Sequence, residues 1–174
     1  MPDRLTPPLG AADHVAGPAD APLELVMYGD FQCPFCTAAQ PILRRVRERL
    51  GDRLRFGFRH FPLRSVHPDA ERAAQASEAA AAQGAFWPMH DALYGLRGRL
   101  GIEAIAGAAA ALGLDVDRLR AELADATHAA RVQADIDGGM AGGVAGTPTF
   151  FVAGVRHKGA FDAQSLIAAL TEGR

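Results

Sequence analysis

The sequence contains few cysteines, no long apolar run and little net charge, and each of these shortages excludes a class of protein. Only 2 of its 174 residues are cysteine, so a secreted scaffold held together by several disulfides is excluded. No apolar run approaches the roughly 18 residues of a transmembrane helix. The formal net charge is −2, which gives no electrostatic reason to bind nucleic acid or an acidic membrane surface. Hydrophobic residues make up 49% and charged residues 22%, as in ordinary globular proteins, and the length suits one domain.

The N-terminal stretch, Met1–Gly10, also lacks the apolar segment of a signal peptide. We therefore expect a cytoplasmic protein. A chain whose signal peptide had been removed would look the same, and it would work in the periplasm or elsewhere outside the cytoplasm. In the cytoplasm thiols are kept reduced, so an isolated cysteine pair there is more often catalytic than structural.

The two cysteines lie three positions apart, in Cys33-Pro34-Phe35-Cys36. A strand-like apolar run over residues 23–28 precedes them, and a helix-like pattern to about Leu50 follows them. A C-x-x-C pair at the strand-to-helix turn of a βαβ pattern is typical of a thioredoxin-like redox site. Because a helix N-terminus favours a thiolate, we expect Cys33 to attack a substrate disulfide. Cys36, one turn further in, is expected to resolve the mixed disulfide that forms.

Two other interpretations of the pair are half of a zinc site and two inert buried thiols. Zinc needs further ligands, and no histidine has the spacing to a second histidine that is typical of a metal pair. The sequence therefore predicts redox chemistry at Cys33 and Cys36, with no metal and no organic cofactor.

The remaining elements follow from hydrophobic periodicity and from capping residues. Residues 1–22 are rich in Pro, Gly and Ala and predict a loose arm, with a short edge strand near His14. Residues 53–60 alternate between polar and apolar and predict a half-buried strand, parallel to the first.

The second half of the chain is predicted to be mostly helical. The helical patterns cover residues 69–83, 86–100 and 102–112, and two more helices are predicted with Asp117 and Thr127 as caps. A hairpin is expected over residues 144–158, and a closing helix is expected to be capped by Asp162.

This order of elements, with the C-x-x-C pair opening the first helix, resembles the DsbA-like branch of the thioredoxin superfamily over about residues 14–170. The motifs that carry the resemblance are Gly17–Pro22, Asp30–Cys36, Phe58–Leu63 and Gly146–Phe150, together with Pro41, eight residues after Cys33. The resemblance implies an α/β thioredoxin fold, with a central mixed sheet built from βαβ and then ββα. It also implies that a helical sub-domain, at about residues 66–126, is inserted within the single domain 1–174.

The resemblance further implies that Thr147-Pro148 is a cis peptide packed against the disulfide. Pro148 opens a strand and cannot donate a hydrogen bond there, which leaves an edge where a substrate's extended backbone can add as a strand. Thr147 places a hydroxyl where it can bond the sulfur of Cys33.

Two positions depart from the family pattern. Phe35 stands where the strongly oxidising member of the branch has a histidine, so we expect a less depressed Cys33 pKa and a less oxidising couple. Met27 stands where thioredoxins have a buried carboxylate that helps to move the proton of the resolving thiol. Glu24 and Asp30 are the nearby candidates for that role, although Asp30 is the better candidate for capping the turn before the helix. His60, with His67 and His90, is a separate candidate acid–base group.

The function that the resemblance implies is a thiol–disulfide oxidoreductase. Its partners would be protein thiols and disulfides, together with a redox partner, unidentified by the sequence, that restores the site. One alternative is a binding or chaperone-like module of the same fold, in which the cysteines are dispensable. Another is a glutathione-dependent transferase or isomerase of the kappa-like branch. That branch typically has serine at the first position and lacks the pair, so Cys36 argues against it.

Overall fold

The computed structural model describes residues 3–172, and its centre is a five-stranded mixed sheet in the order β1-β3-β2-β4-β5. The strands are β1 (His14–Ala16), β2 (Leu23–Gly29), β3 (Leu54–His60), β4 (Thr149–Val152) and β5 (Val155–Arg156). β2 and β3 pair in parallel through the helix that joins them, as predicted, and the other pairs are antiparallel. The edge strand predicted near His14 is present as β1.

Seven α-helices surround the sheet within the described residues. They are α1 (Pro34–Leu50), α2 (Ala70–Ala81), α3 (Phe86–Gly95), α4 (Ile102–Ala111), α5 (Val116–Ala124), α6 (Ala129–Ala141) and α7 (Ala163–Glu172). Five of these helices stand between β3 and β4; how they divide into an inserted sub-domain stays a prediction. Within residues 3–172, no helix is both long and apolar enough to cross a bilayer.

Some predicted helix ends were wrong, and the backbone shows why. The second helix of this region ends at Gly95 rather than near Leu100, because Arg97 and Gly98 adopt positive φ angles and turn the chain. Asp115 instead of Asp117 caps α5, and its side chain accepts a hydrogen bond from the backbone N–H of Arg118. His128 instead of Thr127 occupies the cap position of α6.

β2 runs through the middle of the sheet and is buried on both faces. Leu25 and Met27 point into one hydrophobic cluster, and Val26 and Tyr28 point into another on the opposite face. The first cluster lies under α1, α3 and α7, and the second is shared with α6 and the N-terminal arm. A central strand covered on both faces explains why its sequence is an almost unbroken apolar run.

The N-terminal arm is packed against the sheet, so its prediction as a loose segment was wrong for the described residues. Leu5 is buried in the second cluster, and the backbone of Asp3 bonds Gly142 and Arg156. The guanidinium of Arg59 is buried on β3 and donates to both carboxylate oxygens of Asp13, at 2.7 and 2.9 Å. It also donates to backbone carbonyls of the arm and to the Tyr28 hydroxyl. One buried cation therefore ties the arm to the sheet.

We expect Arg59→Met to destabilise the protein by about 3–5 kcal/mol, because the substitution leaves the Asp13 carboxylate buried without its counter-charge. The loss would appear as a lower urea midpoint in equilibrium unfolding. The matched control is Arg64→Met, which removes a half-exposed arginine paired with Glu71 and should cost less than about 1 kcal/mol. Equal losses in the two variants would contradict the role assigned to Arg59.

Candidate active site

The two cysteines lie at the start of α1, where the chain leaves the central strand. Cys33 is the N-cap residue, with extended backbone angles, and Pro34 begins the helix, where a missing N–H leaves no bond unmade. Both cysteines are free thiols, and they lie within hydrogen-bonding reach of each other. Cys36 exposes none of its surface and Cys33 exposes 2%. Cys33 is therefore the more exposed of the two residues.

The surroundings of the two sulfurs shift their acidities in opposite directions. A hydrogen bond from the Cys36 thiol is the largest cause that lowers the pKa of Cys33, from its ordinary 9.0 to about 5. The Thr147 side chain and the backbone N–H groups of Cys36 and Phe35 lower that pKa further, against the opposing effect of burial. Burial, followed by the neighbouring Cys33, raises the pKa of Cys36 well above its ordinary value. At neutral pH the thiolate therefore resides on Cys33.

The Thr147-Pro148 peptide bond is cis, as the resemblance implied. It comes directly before β4, and the Cys33 sulfur lies 3.6 Å from the backbone carbonyl oxygen of Thr147, to which it donates when it is protonated. The Thr147 hydroxyl is buried and makes no well-aligned hydrogen bond with any described atom. It still lies close enough to the Cys33 sulfur to lower the pKa of that thiol. A hydroxyl in this place can donate to a thiolate at Cys33.

Asp30 holds the turn between β2 and α1. One carboxylate oxygen accepts from the backbone N–H groups of Gln32 and Cys33, at 2.7 and 3.1 Å. The other accepts from the backbone of Leu63 and from Nδ1 of His67, at 2.8 and 2.7 Å. Both oxygens are therefore engaged, which matches the predicted capping role. The acid–base role named for Asp30 stays a prediction.

His60 is buried at the end of β3. Its Nε2 lies 2.7 Å from Oε1 of Glu78, and its backbone N–H donates to Asp135. Within the described residues no hydrogen bond joins His60 to Cys33 or Cys36. The acid–base role predicted for this histidine stays a prediction, and the geometry gives it no support.

The fold also brings together a group that the sequence did not indicate. His14 and His60 both place Nε2 within 2.8 Å of Oε1 of Glu78, and the three ligand atoms lie within 4.8 Å of one another. Such a trio has the donor set of a zinc site. A ligating histidine ordinarily donates its second ring N–H to a neighbour, yet Nδ1 of His60 is buried with no partner among the described residues. The trio therefore fits a hydrogen-bonded carboxylate better than a metal centre.

The acidity of Glu78 agrees with that interpretation. Burial opposes its charge, but the hydrogen bonds from His14 and His60 prevail and hold the pKa of Glu78 well below its ordinary range. The three residues come from β1, β3 and α2, so no local spacing in the sequence could have revealed them.

The surface around the site is open and partly apolar. Phe35, between the cysteines, exposes 67% of its surface. A depression of about 410 Å³ at the start of α1 is lined by Pro34, Thr37 and Arg97, among other residues. An exposed aromatic ring beside a reactive thiol is suited to contact with apolar segments of other proteins.

A five-stranded sheet with a C-x-x-C pair at the first helix and a cis-proline loop beside it defines a thioredoxin-fold redox protein. The family model described as the DSBA-like thioredoxin domain matches residues 24–171, so the chain belongs to that family. Its fold and its cysteine pair are those of a DsbA-like disulfide oxidoreductase, as the sequence predicted.

Solved structures share this fold. BdbD from Bacillus subtilis in its oxidised form superposes with a TM-score of 0.83 at 22% identity, over 92% of each chain. A thioredoxin-like oxidoreductase from Silicibacter pomeroyi DSS-3 gives a TM-score of 0.81 at 25% identity, covering 95% of this chain and 94% of that one. The catalytic domain of Proteus mirabilis ScsC gives 0.77 at 24% identity, covering 98% and 92%.

The curated relatives are longer proteins. The chain is 50% identical to a Na(+)/H(+) antiporter NhaA 1 of Salinispora arenicola over 91% of its own length, which is 24% of that protein. It is 43% identical to a Na(+)/H(+) antiporter NhaA of Herminiimonas arsenicoxydans over its whole length, which is 28% of that protein. The chain thus spans about a quarter of the length of these relatives.

We expect the alkylation rate of Cys33 by iodoacetamide to rise with pH and to reach half its maximum at about pH 5, because the thiolate is the reacting form. Cys36→Ala should move this midpoint towards the alkaline side, since it removes the largest cause that lowers the pKa. Mass spectrometry of protein quenched at intervals gives the rates. A wild-type midpoint near the ordinary 9.0 of a cysteine would contradict the assignment.

Proposed function

We propose that this chain exchanges disulfides with protein substrates through Cys33 and Cys36. The observation that carries the proposal is the placement of two free thiols at the start of α1, with Cys33 at the N-cap position and Cys36 enclosed one turn further in. This placement lowers the pKa of Cys33 and raises that of Cys36. An attacking thiol and a resolving thiol need this division of roles.

As a reductase, the Cys33 thiolate attacks one sulfur of a substrate disulfide, and the other substrate sulfur leaves with the electron pair as a thiolate. Cys36 then loses its proton to solvent and attacks the Cys33 sulfur of the mixed disulfide. The Cys33–Cys36 bond forms, and the second substrate sulfur leaves as a thiolate. The enzyme is oxidised by two electrons and the substrate is reduced by two, and the reverse sequence oxidises a substrate dithiol.

The site also has a place for the substrate backbone. β4 pairs with β2 on one side and with β5 on the other, and Thr147-Pro148 precedes β4 beside the Cys33 sulfur. An extended substrate segment that adds along this loop would carry its cysteine towards Cys33. Phe35 would lie against the side chains that flank that cysteine.

A finer proposal concerns the partner. Relatives at 43–50% identity are named as Na(+)/H(+) antiporters, and this chain accounts for only about a quarter of each. We propose that the exchange partner of this domain is a membrane transport protein of that class, either joined to it or acting beside it. The cytoplasmic location predicted from the sequence is likewise kept as a proposal.

We expect Cys33→Ser to abolish the acceleration of insulin reduction by dithiothreitol, because no thiolate remains to open the substrate disulfide. The matched variant Tyr28→Phe keeps both cysteines and should retain the wild-type rate. Binding of reduced, unfolded insulin is measured alongside by light scattering. A Cys33→Ser protein that still holds insulin in solution, together with an inactive wild type, would favour the binding-module alternative instead.

We expect Cys36→Ser to trap partners as mixed disulfides on Cys33, because the resolving sulfur is missing. The variant, expressed in the source cells, is recovered under non-reducing conditions from the membrane and soluble fractions, and the adducts are identified by mass spectrometry. The double variant Cys33→Ser, Cys36→Ser is the control. An antiporter-class adduct absent from the control supports the partner proposal. Adducts confined to other proteins overturn that proposal and leave the exchange chemistry intact.

A further inference from the structure

Exchange at this site requires a charge to appear on Cys36. When a substrate thiolate attacks the Cys33 sulfur of the oxidised enzyme, the Cys33–Cys36 bond breaks and Cys36 leaves with the electron pair. Burial opposes a charge there, and the pKa of Cys36 is raised accordingly. A hydrogen-bond donor held beside that sulfur would lower the barrier to this step.

The residues that the sequence suggested for moving the proton of the resolving thiol form hydrogen bonds or ion pairs with other groups. Both carboxylate oxygens of Asp30 accept hydrogen bonds from the turn and from His67. His60 is bonded to Glu78. Glu24, near the start of β2, is paired with Arg55 on β3.

Tyr94, near the end of α3, is placed differently. Its side chain is buried, and its hydroxyl makes no well-aligned hydrogen bond with any atom in residues 3–172. The same hydroxyl lies within hydrogen-bonding reach of the Cys36 thiol, and burial followed by the charges of Cys36 and Asp30 raises the pKa of Tyr94 well above its ordinary value. A tyrosine that stays protonated can donate.

The position of this hydroxyl is built into the packing. A Cβ atom at Gly29 would lie 2.8 Å from the Tyr94 oxygen, so the close approach of the hydroxyl to β2 requires glycine there. The Tyr94 ring packs against Phe31 and His90, at centroid distances of 4.8 and 5.1 Å. The titratable groups that face the hydroxyl are Cys33, Cys36 and Asp30. A buried hydroxyl without a partner is unfavourable unless another state of the protein uses it.

We propose that Tyr94 is a catalytic residue whose hydroxyl donates a hydrogen bond to the Cys36 sulfur as that sulfur becomes a thiolate. In the opening step the Cys33–Cys36 bond breaks, a bond forms between Cys33 and the substrate sulfur, and the electron pair stays on Cys36. The Cys36 thiolate then takes a proton from water, and Tyr94 keeps its own proton throughout. Tyr94 also lines a cavity of about 360 Å³ between α1 and α3, which gives water a place beside the residue.

The test separates chemistry at Cys36 from chemistry at Cys33, and it rests on the proposed exchange function. Oxidised protein is mixed with excess 2-mercaptoethanol at several pH values, quenched with acid and analysed by mass spectrometry for opening of the disulfide. We expect Tyr94→Phe to slow opening by about tenfold, the loss expected when one hydrogen bond to a developing charge is removed. Alkylation of Cys33 in the reduced protein should keep its rate and its pH midpoint.

Tyr28→Phe is the matched control, because it removes a buried tyrosine hydroxyl that bonds Arg59 on the other face of the sheet. This variant should leave the rate of disulfide opening and the rate of Cys33 alkylation unchanged. The melting temperatures of wild type and both variants are compared, and all rates are measured below the lowest of them. Tyr94→Phe should not lower stability, because the hydroxyl that it removes has no well-aligned hydrogen-bond partner.

Opening rates of Tyr94→Phe within about twofold of wild type would overturn the proposal, since a lost charge-assisted bond costs more than that. Equal slowing of opening and of Cys33 alkylation would also overturn it, because that pattern indicates general disruption of the site. A wild-type disulfide that thiols do not open at all would instead refute the exchange function itself.

Discussion

The structure of the site depends on one buried carboxylate. Asp30 accepts hydrogen bonds from two backbone groups at the start of α1 and from two groups in the segment after β3. The first helical turn is therefore fixed to a second, distant part of the chain. This matters because the effect of backbone N–H groups on a thiolate falls off within about one turn of the helix end. A sulfur displaced from Cys33's position would lose much of that stabilisation.

The two thiols are the same chemical group, yet their positions give them opposite properties. Cys33 occupies the N-cap position of α1 and contacts the Thr147 carbonyl, whereas Cys36 is enclosed one turn further in. The resting charge therefore lies on the sulfur that substrates approach. During exchange the charge must move to the enclosed sulfur, so the unfavourable part of the reaction is concentrated at Cys36. Groups that touch Cys36, rather than those around Cys33, should then limit the rate of disulfide opening.

The sequence predicted those parts of the protein whose signals are local. The apolar run of β2, the proline-initiated helix after Cys33 and the parallel pairing with β3 all follow from short-range pattern, and all are present. Positions governed by distant packing could not be predicted in this way. Arg59 lies in a strand that was predicted to be half-buried, and the N-terminal arm, which was predicted to be loose, covers it and supplies Asp13 as its counter-charge.

Packing between distant parts of the chain also limits what the sequence can predict within the site. Phe86, Met89 and Leu93 recur at helical spacing, which is typical of a buried helix face, and these residues are buried. Tyr94 follows directly, and nothing in its local sequence distinguishes a hydroxyl that faces a thiol from one that faces solvent. The His14–Glu78–His60 group is similar, because its members are joined only by the pairing of β1 with β3 and by the packing of α2.

Phe35, one of the two residues between the cysteines, can now be given a physical role. Phe35 carries no charge, yet the pKa of Cys33 is lowered from its ordinary 9.0 to about 5. The causes are the Cys36 thiol, the Thr147 side chain and the backbone N–H groups of the first turn, none of which needs a charged dipeptide. The fold therefore supplies most of the depression, and a histidine at this position would add to it. Since Phe35 is largely exposed, its side chain is left free to act by contact, as an apolar surface beside the reactive sulfur.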